Sequence, residues 1–304
     1  MGPSDDIVIL ADWGNSSGRL FCVRGTDLEP EFLDEVRISG AKDTEDCAKE
    51  FETATEGWRQ TYDIKEAWLC GAVTSNIGWT TTTYAPTPAR IEYIKSTVLD
   101  TRSGLACHFL QGTSILKNVQ GYFDTVRGED IQAFGWVALT GLRNGLLCLP
   151  GTHTKWMTIK DGAIETISTG VTGETFEVLD RHSILTRGGK NETGSEAAFL
   201  RGVDIMKSRP RPALTHMLMS VRNLQLSGEM TAGESRDYLS GLLIGENCAA
   251  SLSQRPASDI HIIGDGALAE RYELALKHLG CSTRRHDGKA CVISGLQSVR
   301  TSRH

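Results

Sequence analysis

The feature that most constrains this chain is a hairpin pattern that occurs twice. Each copy has a short apolar run, a turn rich in glycine and hydroxyl residues, and a second apolar run. The first copy covers residues 7–11, the turn DWGNSSG and residues 20–23, and the second covers residues 146–149, PGTHTK and 156–159. Because Gly14 and Gly151 occupy matching turn positions 137 residues apart, the pattern predicts two β-hairpins in two related halves of the chain.

Other segments predict helices mixed with strands. Residues 66–75 are typical of a buried strand that runs into a polar loop, and residues 131–142 have apolar side chains at helical spacing. The tetrads 193–196 and 231–234 each fit the capping box S/T-x-x-E, which predicts two helix starts. Residues 258–276 are typical of a strand, a glycine turn and a helix. Together these elements predict an α/β fold with two lobes and a boundary near residue 143.

Length and charge argue against several classes of protein. At about 150 residues per domain, 304 residues suffice for about two domains. The net charge of −6 and the lack of a dense Lys/Arg block argue against nucleic acid or anionic lipid as a partner. No run approaches the roughly 18 to 20 apolar residues of a transmembrane helix. The eight cysteines form no Cys-x-x-Cys pair and the acidic N-terminus is unlike a secretory signal, so we expect a reducing, cytoplasmic setting.

The two turns carry the main chemical signal, because turns rich in Gly, Ser and Thr suit phosphate. Glycine lets backbone N–H groups approach an anion, and the hydroxyl groups add donors. The candidate phosphate-binding residues are Gly14, Asn15, Ser16, Ser17 and Arg19 in the first turn, and Gly151, Thr152, His153, Thr154 and Lys155 in the second. Asp12, at the end of a buried strand beside the first turn, is placed to hold the hydrated Mg²⁺ that accompanies a nucleotide.

A third glycine turn, at Gly264, Asp265 and Gly266, follows a strand and opens a helix, so its backbone could pack against a nucleotide. Residues 264–269 also fit the dinucleotide pattern G-x-G-x-x-A, but only 38 residues follow Gly266, too few for the second half of that fold. Taken singly, each of the three turns is also typical of an ordinary connection. Their co-occurrence in one chain favours a phosphate-binding function.

Two adjacent acids are the first candidates for a catalytic base. Glu129 and Asp130 stand at a predicted helix N-terminus, where the helix dipole favours the ionised form that a base needs. Plain capping is an equally common role for acids in a first turn. Asp124, five residues before Glu129, is the reserve candidate.

Several other residues have both a functional and a structural interpretation. Glu174 follows Gly173 at a predicted helix start, and it could position Mg²⁺ or nucleotide or only cap the helix. Gly241 and Gly245 lie four apart on one helical face, where a missing side chain permits close approach of another backbone or of adenine. Lys155 could neutralise a phosphate or be solvated. His153 could take part in phosphate binding or have no role beyond shaping its turn.

Eight segments, spread in order over nearly the whole chain, carry a family resemblance. They are ADWGNSSGRLF (11–21), CGAVTSNIGW (70–79), Pro88-Ala89, RGEDIQAFG (127–135), LPGTHTKW (149–156), TGETFEVL (172–179), YLSGLLIGE (238–246) and IIGDGALAERY (262–272). With these segments the chain resembles the 2-dehydro-3-deoxygalactonokinase family, within the superfamily of sugar kinases, heat-shock proteins and actin ATPases.

The resemblance implies the actin-like ATPase fold, in which two ribonuclease-H-like lobes close over a cleft. It implies transfer of the γ-phosphoryl group of ATP, with Mg²⁺, to the 6-hydroxyl of 2-dehydro-3-deoxy-D-galactonate in galactonate catabolism. We expect residues 1–143 to bind sugar acid and phosphate, residues 144–288 to bind nucleotide, and residues 289–304 to pack back on the first lobe. The superfamily's placement of its catalytic acid at a helix start favours Glu129. A homodimer is compatible with the sequence.

The resemblance also implies binding residues. For the nucleotide they are Gly173, Glu174, Gly241, Gly245, Gly264, Asp265 and Gly266, and for the sugar acid they are Ser75, Asn76, Gly78 and Trp79. Asn76 departs from the family, whose members tend to read G-S-R-Q-G-W here, so a guanidinium suited to a carboxylate is missing. Arg90, Arg102 or Arg127 would then supply this charge.

Two other functions stay open at this point. A kinase for a related 2-keto-3-deoxy sugar acid or for a neutral sugar would have the same turns and a different acceptor. A non-catalytic nucleotide-binding regulator of the same fold would use Asp12 and the turn at Gly264, while Glu129 and Asp130 had no chemical role. Replacing each acid by its amide would separate the kinase from the regulator.

Overall fold

The computed structural model describes residues 6–188, 193–208, 212–255 and 259–302, and these residues form two compact units. The first unit consists of the described residues of Met1–Gly145, Met157–Ser168 and His286–His304. The second consists of those of Leu146–Trp156 and Thr169–Arg285. The first unit thus includes residues 157–168, which lie within the C-terminal lobe expected from the sequence.

A six-stranded mixed sheet forms the centre of the first unit. Its strands are β1 (Ile7–Trp13), β2 (Ser17–Arg24), β3 (Glu31–Ser39), β4 (Glu66–Cys70), β6 (Ser96–Asp100) and β7 (Ala106–Leu110), in the order β3-β2-β1-β4-β7-β6. Strand β1 pairs antiparallel with β2 and parallel with β4, and this central position buries it almost completely. Helix α1 (Cys47–Thr61) adds Phe51 and Trp58 to the core of this unit.

The same unit contains a small sheet and two closely packed helices. Strands β5 (Tyr84–Pro86), β8 (Gly112–Ile115) and β9 (Asp124–Val126) form the small sheet, and helix α2 (Glu129–Thr140) follows it. A Cβ on Gly135 of α2 would lie 1.8 Å from the carbonyl oxygen of Cys291 in helix α8 (Gly288–Thr301). A Cβ on Gly295 would lie 2.0 Å from the carbonyl oxygen of Ile131. These two glycines therefore let the backbones of α2 and α8 touch.

The other sheet has five strands. They are β10 (Gly145–Leu149), β11 (Thr154–Lys160), β12 (Ala163–Gly170), β13 (Asp259–Ile263) and β14 (Ser282–His286), in the order β12-β11-β10-β13-β14. The helices of the second unit are α3 (Gly173–His182), α4 (Glu196–Lys207), α5 (Leu214–Leu226), α6 (Ala232–Gln254) and α7 (Gly266–His278). Apolar side chains of β11, β13, α4, α6 and α7 form one of its cores.

The two sheets repeat one strand order. The run β3-β2-β1-β4-β7 has the same arrangement as β12-β11-β10-β13-β14. In the first sheet β1 pairs in parallel with β4, and in the second β10 pairs in parallel with β13. Both predicted hairpins, β1–β2 and β10–β11, are present at matching places. The mixed α/β fold predicted from the sequence is confirmed. None of the helices among the described residues is long and apolar enough to span a membrane.

The two predicted capping boxes have different outcomes. Helix α6 begins with the predicted box, since the Thr231 hydroxyl accepts from the backbone N–H of Glu234 and the Glu234 carboxylate accepts from that of Thr231. Helix α4 begins at Glu196, and its N-cap is Ser195, whose hydroxyl accepts from Ala198 N at 3.3 Å. The predicted box at 193–196 is wrong, because Ser195 is itself a strong N-cap residue two positions nearer to the apolar run.

Candidate active site

The first hairpin brings Asp12 and Arg19 together at the end of β1. The two residues are cross-strand partners, and Arg19 Nη2 donates to Asp12 Oδ2 at 2.7 Å. The Asp12 side chain keeps 16% of its surface exposed, so it stays accessible. Asn15 and Ser16 in the turn, and Ser17 at the start of β2, are exposed beside it.

Backbone hydrogen bonds hold this turn in place. Gly14 N donates to Ser17 O at 3.0 Å, and Ala41 N donates to Gly14 O at 3.0 Å. A Cβ on Gly40 would lie 2.0 Å from the carbonyl oxygen of Asn15, so only glycine fits there. The turn is therefore preorganised by its own unit.

Two glycines leave space beside Asp12. Gly71, which ends the β4 run at φ 93°, could not carry a Cβ because that atom would lie 2.6 Å from Trp13 O. Gly128, at φ 104°, precedes α2, and its Cβ would lie 3.2 Å from Gly71 Cα and 3.7 Å from Asp12 Oδ1. The start of α2 thus reaches the end of β1, with no side chain between them at Gly128.

The buried thiol of Cys70 lies within the electric field of the same acids. Burial raises its pKa well above the usual value, and the charges of Asp12, Asp130 and Glu129 raise the pKa further. The charge of Arg19 acts in the opposite direction. The ends of β1 and β4 and the first turn of α2 therefore form one strongly acidic region.

Asp130 is fully buried and fully engaged. Its Oδ1 accepts from the backbone N–H groups of Gly128 at 2.8 Å and Ile131 at 3.1 Å, and its Oδ2 accepts from the Thr113 hydroxyl at 3.0 Å. Burial raises the pKa of its carboxyl group from 3.8 to about 7, although these hydrogen bonds act to lower it. Asp130 therefore fixes the start of α2, and its neighbour Glu129 is the half-buried acid of the pair.

Asp124 is held in the small sheet. It pairs with Ile115 in the β8–β9 ladder, and its Oδ2 accepts from Asn118 Nδ2 at 3.1 Å. Its Oδ1 accepts from the backbone N–H of Thr125 at 2.8 Å. These contacts give Asp124 a structural role in shaping the loop before β9.

The predicted sugar-acid loop, residues 75–79, is anchored by two of its members. Trp79 packs against the rings of Phe51 and Phe109 at centroid distances of 5.6 and 5.0 Å, so its side chain belongs to the core. Gly78 permits a tight turn, because its Cβ would lie 2.4 Å from Val73 O. The Trp79 side chain is half-buried, and its contact with the substrate stays a prediction. Asn76 is exposed, and it is the polar side chain of this loop that the structure leaves most accessible.

The three candidate arginines lie in different places. Arg127 reaches the same loop, because its Nη1 lies 2.6 Å from both the carbonyl and the hydroxyl oxygen of Thr74. Arg90 Nη1 instead donates to Asp161 O at 2.9 Å. Arg102 is exposed in the turn between β6 and β7.

The second hairpin turn is braced by the start of α3. A Cβ on Gly173 would lie 2.6 Å from Gly151 O, so the glycine lets the helix start touch the turn. Glu174 N donates to Thr152 O at 3.0 Å, and the Glu174 carboxylate is hydrogen-bonded to His153 Nε2. Glu174 therefore holds both the backbone and the histidine of this turn.

Thr154 and Lys155, which the sequence predicts to bind phosphate together, lie in different surroundings. The Thr154 hydroxyl is buried and is hydrogen-bonded to Thr172 at 2.7 Å and to Tyr272 at 2.8 Å. Assigning this hydroxyl to phosphate is wrong, because the buried network already satisfies it. Lys155, the next residue of β11, points to the opposite face by strand alternation. It is only 8% exposed, and no hydrogen bond or ion pair joins its side chain to another described residue.

Gly241 and Gly245 serve helix packing. A Cβ on Gly241 would lie 2.0 Å from the carbonyl oxygen of Phe199, and one on Gly245 would lie 2.8 Å from Val203 Cα. Both contacts are with α4, so this face of α6 is filled by another backbone. The predicted contact of these two glycines with adenine is wrong for that reason.

A pocket of about 310 Å³ lies within the second unit, between the N-termini of α3 and α7 and one side of α6. Its lining residues include Gly173, Phe176, Arg236, Ser240, Ala267 and Arg271. The guanidinium carbon of Arg236 lies 5.3 Å from the centre of the Phe176 ring, and Arg271 is paired with Asp237. The sequence pointed to this place through Gly173 and through the glycine turn at 264–266, which leads into α7, but it did not identify Phe176, Arg236 or Arg271.

A family model for 2-keto-3-deoxy-galactonokinase matches residues 12–299 of the chain. This chain belongs to that family. It is 32% identical to a Rhizobium meliloti protein named "Probable 2-dehydro-3-deoxygalactonokinase" over 300 residues, covering 95% of this chain and 94% of the relative. It is 27% identical to the 2-dehydro-3-deoxygalactonokinase of Escherichia coli over 293 residues, covering 96% of each chain.

Solved structures agree with this family of sugar-acid kinases. A crystal structure from Sinorhizobium meliloti that carries the same enzyme name has a TM-score of 0.84 and 30% identity, and the match covers 96% of this chain and 95% of that one. The activator of 2-hydroxyisocaproyl-CoA dehydratase from Clostridium difficile, with ADPNP bound, has a TM-score of 0.53 and 12% identity. The match covers 98% of this chain and 96% of that one, and it shows the fold alone. The fold is that of the actin-like ATPases.

The kinase family is ATP-dependent, and the residues at the first turn fit a hydrated Mg²⁺ ion. Mg²⁺ at phosphate sites keeps several waters and takes one or two carboxylates. Asp12 supplies such a carboxylate, with Oδ1 facing the space that the missing side chain of Gly128 leaves. Among the described residues, no three His, Cys, Asp or Glu side chains come together as a dedicated metal site. This combination suits an ion held jointly by one carboxylate, water and phosphate.

Proposed function

We propose that this chain transfers the γ-phosphoryl group of ATP to the 6-hydroxyl of 2-dehydro-3-deoxy-D-galactonate. The observation that carries the proposal is the acidic region in which Asp12, Gly128 and the first turn of α2 meet. Such a region offers one carboxylate as a base for a hydroxyl group and another for a hydrated cation. Phosphoryl transfer to an alcohol requires both of these roles.

Glu129 is the base in this proposal. It lies in the first turn of α2, two residues from Arg127, and it is half-buried. Its rivals have other roles, because Asp130 accepts hydrogen bonds from Thr113 and Gly128 that fix the start of α2, and Asp124 accepts one from Asn118 in the small sheet. The Glu129 carboxylate would accept the proton of the 6-hydroxyl as that oxygen attacks the γ-phosphorus.

Asp12 and Arg19 act as a positioned pair. Arg19 fixes one oxygen of Asp12, so the other oxygen keeps a defined direction. Asp12 would hold Mg²⁺ through its waters, and the ion would supply charge neutralisation of the phosphates. The exposed groups of Asn15, Ser16 and Ser17 are the donors of the first turn for phosphate oxygens.

The second turn binds the polyphosphate of ATP in this proposal. Thr152 and the backbone of Gly151 provide donors, and His153 is oriented by Glu174. Lys155 supplies a buried cation without a counter-ion in the part of the chain that the structure describes, and a phosphate would satisfy it. Glu174 is thus a positioning residue and not a ligand of Mg²⁺.

The nucleoside of ATP occupies the pocket between α3, α6 and α7 in this proposal. Its volume of about 310 Å³ is within the size range of small-ligand sites. Gly173 links the pocket to the second turn, since it lines the pocket and touches Gly151. The sugar acid and its base are assigned to the first unit, and the nucleotide is assigned to the second.

A coupled assay of ADP release tests the proposal. The acceptors are 2-dehydro-3-deoxygalactonate, its gluconate epimer, galactonate and galactose, each with Mg-ATP. We expect turnover with the first acid, because the reaction needs a terminal hydroxyl on an acid that the first unit recognises. Turnover with the epimer or a neutral sugar alone would reassign the substrate. ATP hydrolysis that no acceptor stimulates would contradict the kinase proposal.

A further inference from the structure

Arg127 shapes the loop that the sugar acid is expected to contact. Its Nη1 is hydrogen-bonded to the Thr74 carbonyl and hydroxyl groups, and its Nη2 donates to Thr82 O at 3.1 Å. The guanidinium carbon also lies 4.4 Å from the centre of the Tyr84 ring. One edge and one face of the guanidinium are therefore used to tie residues 74–84 together.

The other edge of the same guanidinium is unused. Arg127 Nε is buried and has no hydrogen-bond partner among the described residues. Nη2 carries two N–H groups, and Thr82 O takes one of them. Nε and Nη2 share the edge of a guanidinium that binds both oxygens of a carboxylate in parallel. A buried N–H donor without an acceptor is costly, so this edge is suited to an anionic ligand.

Arg127 lies close to the proposed base along the chain. Arg127 and Glu129 are two residues apart, so their Cα atoms lie within about 7 Å of each other. A six-carbon sugar acid has its carboxylate at one end and its terminal hydroxyl at the other. A single short segment can therefore bind one end of the acid and present a base to the other.

We infer that Arg127 binds the carboxylate of the sugar acid through its Nε and Nη2 edge and thereby makes the kinase specific for acids. This inference rests on the proposed function and names the residue that replaces the guanidinium missing at Asn76. Arg90 and Arg102 do not reach the loop, as their positions at Asp161 and in the β6–β7 turn show.

The test compares 2-dehydro-3-deoxygalactonate with its primary amide, which has the same shape and no charge. In the unmodified enzyme we expect kcat/KM for the acid to exceed that for the amide by about tenfold to hundredfold, the effect of a charged hydrogen-bonded pair. Arg127→Lys retains the charge without the two-pronged edge and should lose most of this ratio. Arg127→Gln should lose all of it.

A structural role for Arg127 gives a different result. If the residue only ties the loop to Thr74 and Thr82, both variants lower turnover of acid and amide by the same factor, and the inference is overturned. Equal use of acid and amide by the unmodified enzyme would also overturn it. Arg102→Gln is the matched control, because it removes an exposed arginine outside the loop and should leave the ratio unchanged.

A binding measurement separates this inference from the proposed function. The shift in Tm that the acid produces is recorded for the unmodified enzyme and for Arg127→Lys, with the amide as the second ligand. If the acid is not phosphorylated but raises Tm only when Arg127 is present, the proposed substrate chemistry fails and the carboxylate site stands. If neither ligand changes Tm and neither is phosphorylated, both proposals fail.

Discussion

In the first hairpin, Asp12 at the end of β1 faces Arg19 across the ladder, and the acid Glu129 begins the helix beside it. In the second hairpin, Leu149 occupies the position that matches Asp12, and the charged residue is Lys155 in the strand that follows the turn. The same backbone unit thus carries a carboxylate paired with an arginine in one copy, and a lysine with no acid at the matching position in the other. A repeated scaffold supplies two similar turns, and a few side chains at their edges divide the chemistry between them.

The two turns are also held in place by different contacts. The first turn is held by backbone groups at Gly40 and Ala41, which leave its side chains exposed. The second is held by the start of a helix, through Gly173 and Glu174. The start of α3 adds partial positive charge where polyphosphate is expected, whereas the start of α2, beside the first turn, begins with the acids Glu129 and Asp130.

The largest expected effect tests the acidic side of this contrast. Glu129→Gln should lower kcat by about a hundredfold to ten-thousandfold, because it removes the proposed general base. ATP binding, measured by calorimetry, should stay unchanged. The control is Asp130→Asn, which keeps the shape of the neighbouring acid and should retain kcat within about threefold, because both oxygens of Asp130 are already hydrogen-bonded to protein groups. Similar losses in both variants would contradict the assignment of the base.

The cationic side is tested by Lys155→Met. Loss of a charged hydrogen bond to phosphate should raise KM for ATP by about tenfold. The variant should unfold at the same or a higher denaturant concentration, because a buried cation without a partner is costly in the folded state. Lys160→Met, at the exposed end of the same strand, is the control and should change neither quantity. Equal KM values in the two variants would remove Lys155 from the phosphate site.

A smaller effect compares two glycines of the second turn. Gly173→Ala places a Cβ 2.6 Å from Gly151 O and should lower the free energy of unfolding by about 1–3 kcal/mol. Gly151→Ala finds its nearest neighbour at 3.8 Å, and its effect on stability should stay within about 0.5 kcal/mol. Urea denaturation checks both values. A larger loss at Gly151 than at Gly173 would show that the helix start does not brace the turn.

The last comparison concerns the pH dependence of stability at Asp130, which leaves activity aside. Its folded-state pKa of about 7 lies above the unfolded value of 3.8, so its contribution to stability is lost as the pH rises between these values. Asp130→Asn does not titrate. Its free energy of unfolding relative to the unmodified protein should therefore rise by up to about 1.4 kcal/mol per pH unit up to pH 7 and then level off. Urea titrations between pH 5 and 8 give this difference, and a constant difference would contradict the raised pKa.

The sequence predicted the hairpins, the strand–turn–helix at 258–276 and the acids of α2, because each depends on local residue patterns. It did not predict the direction of side chains within those patterns. Thr154 lies on the same strand face as the buried Trp156, and this alternation would have identified it as an inward-facing residue. Gly241 and Gly245 have the spacing of a helix contact, and spacing alone does not distinguish a neighbouring helix from a nucleotide.

The pocket residues could not be predicted for a different reason. Phe176, Arg236 and Arg271 come from three helices that are far apart in the chain. Their shared pocket depends on tertiary packing, and no local motif records it. Asp130 and Glu129 are adjacent acids that the sequence alone does not rank as candidate bases. The structure separates them, because Thr113 and two backbone N–H groups donate to the carboxylate of Asp130.

The contact between Gly135 in α2 and Gly295 in α8 links the chemistry to the order of synthesis. Ribosomes make the helix that begins with Glu129 long before they make α8, whose backbone then closes against it. A nascent chain that has passed both hairpins but lacks α8 has its acids without the partner that fixes their helix. Phosphoryl transfer is therefore expected only from chains elongated through α8, and fragments produced by early termination should consume no ATP.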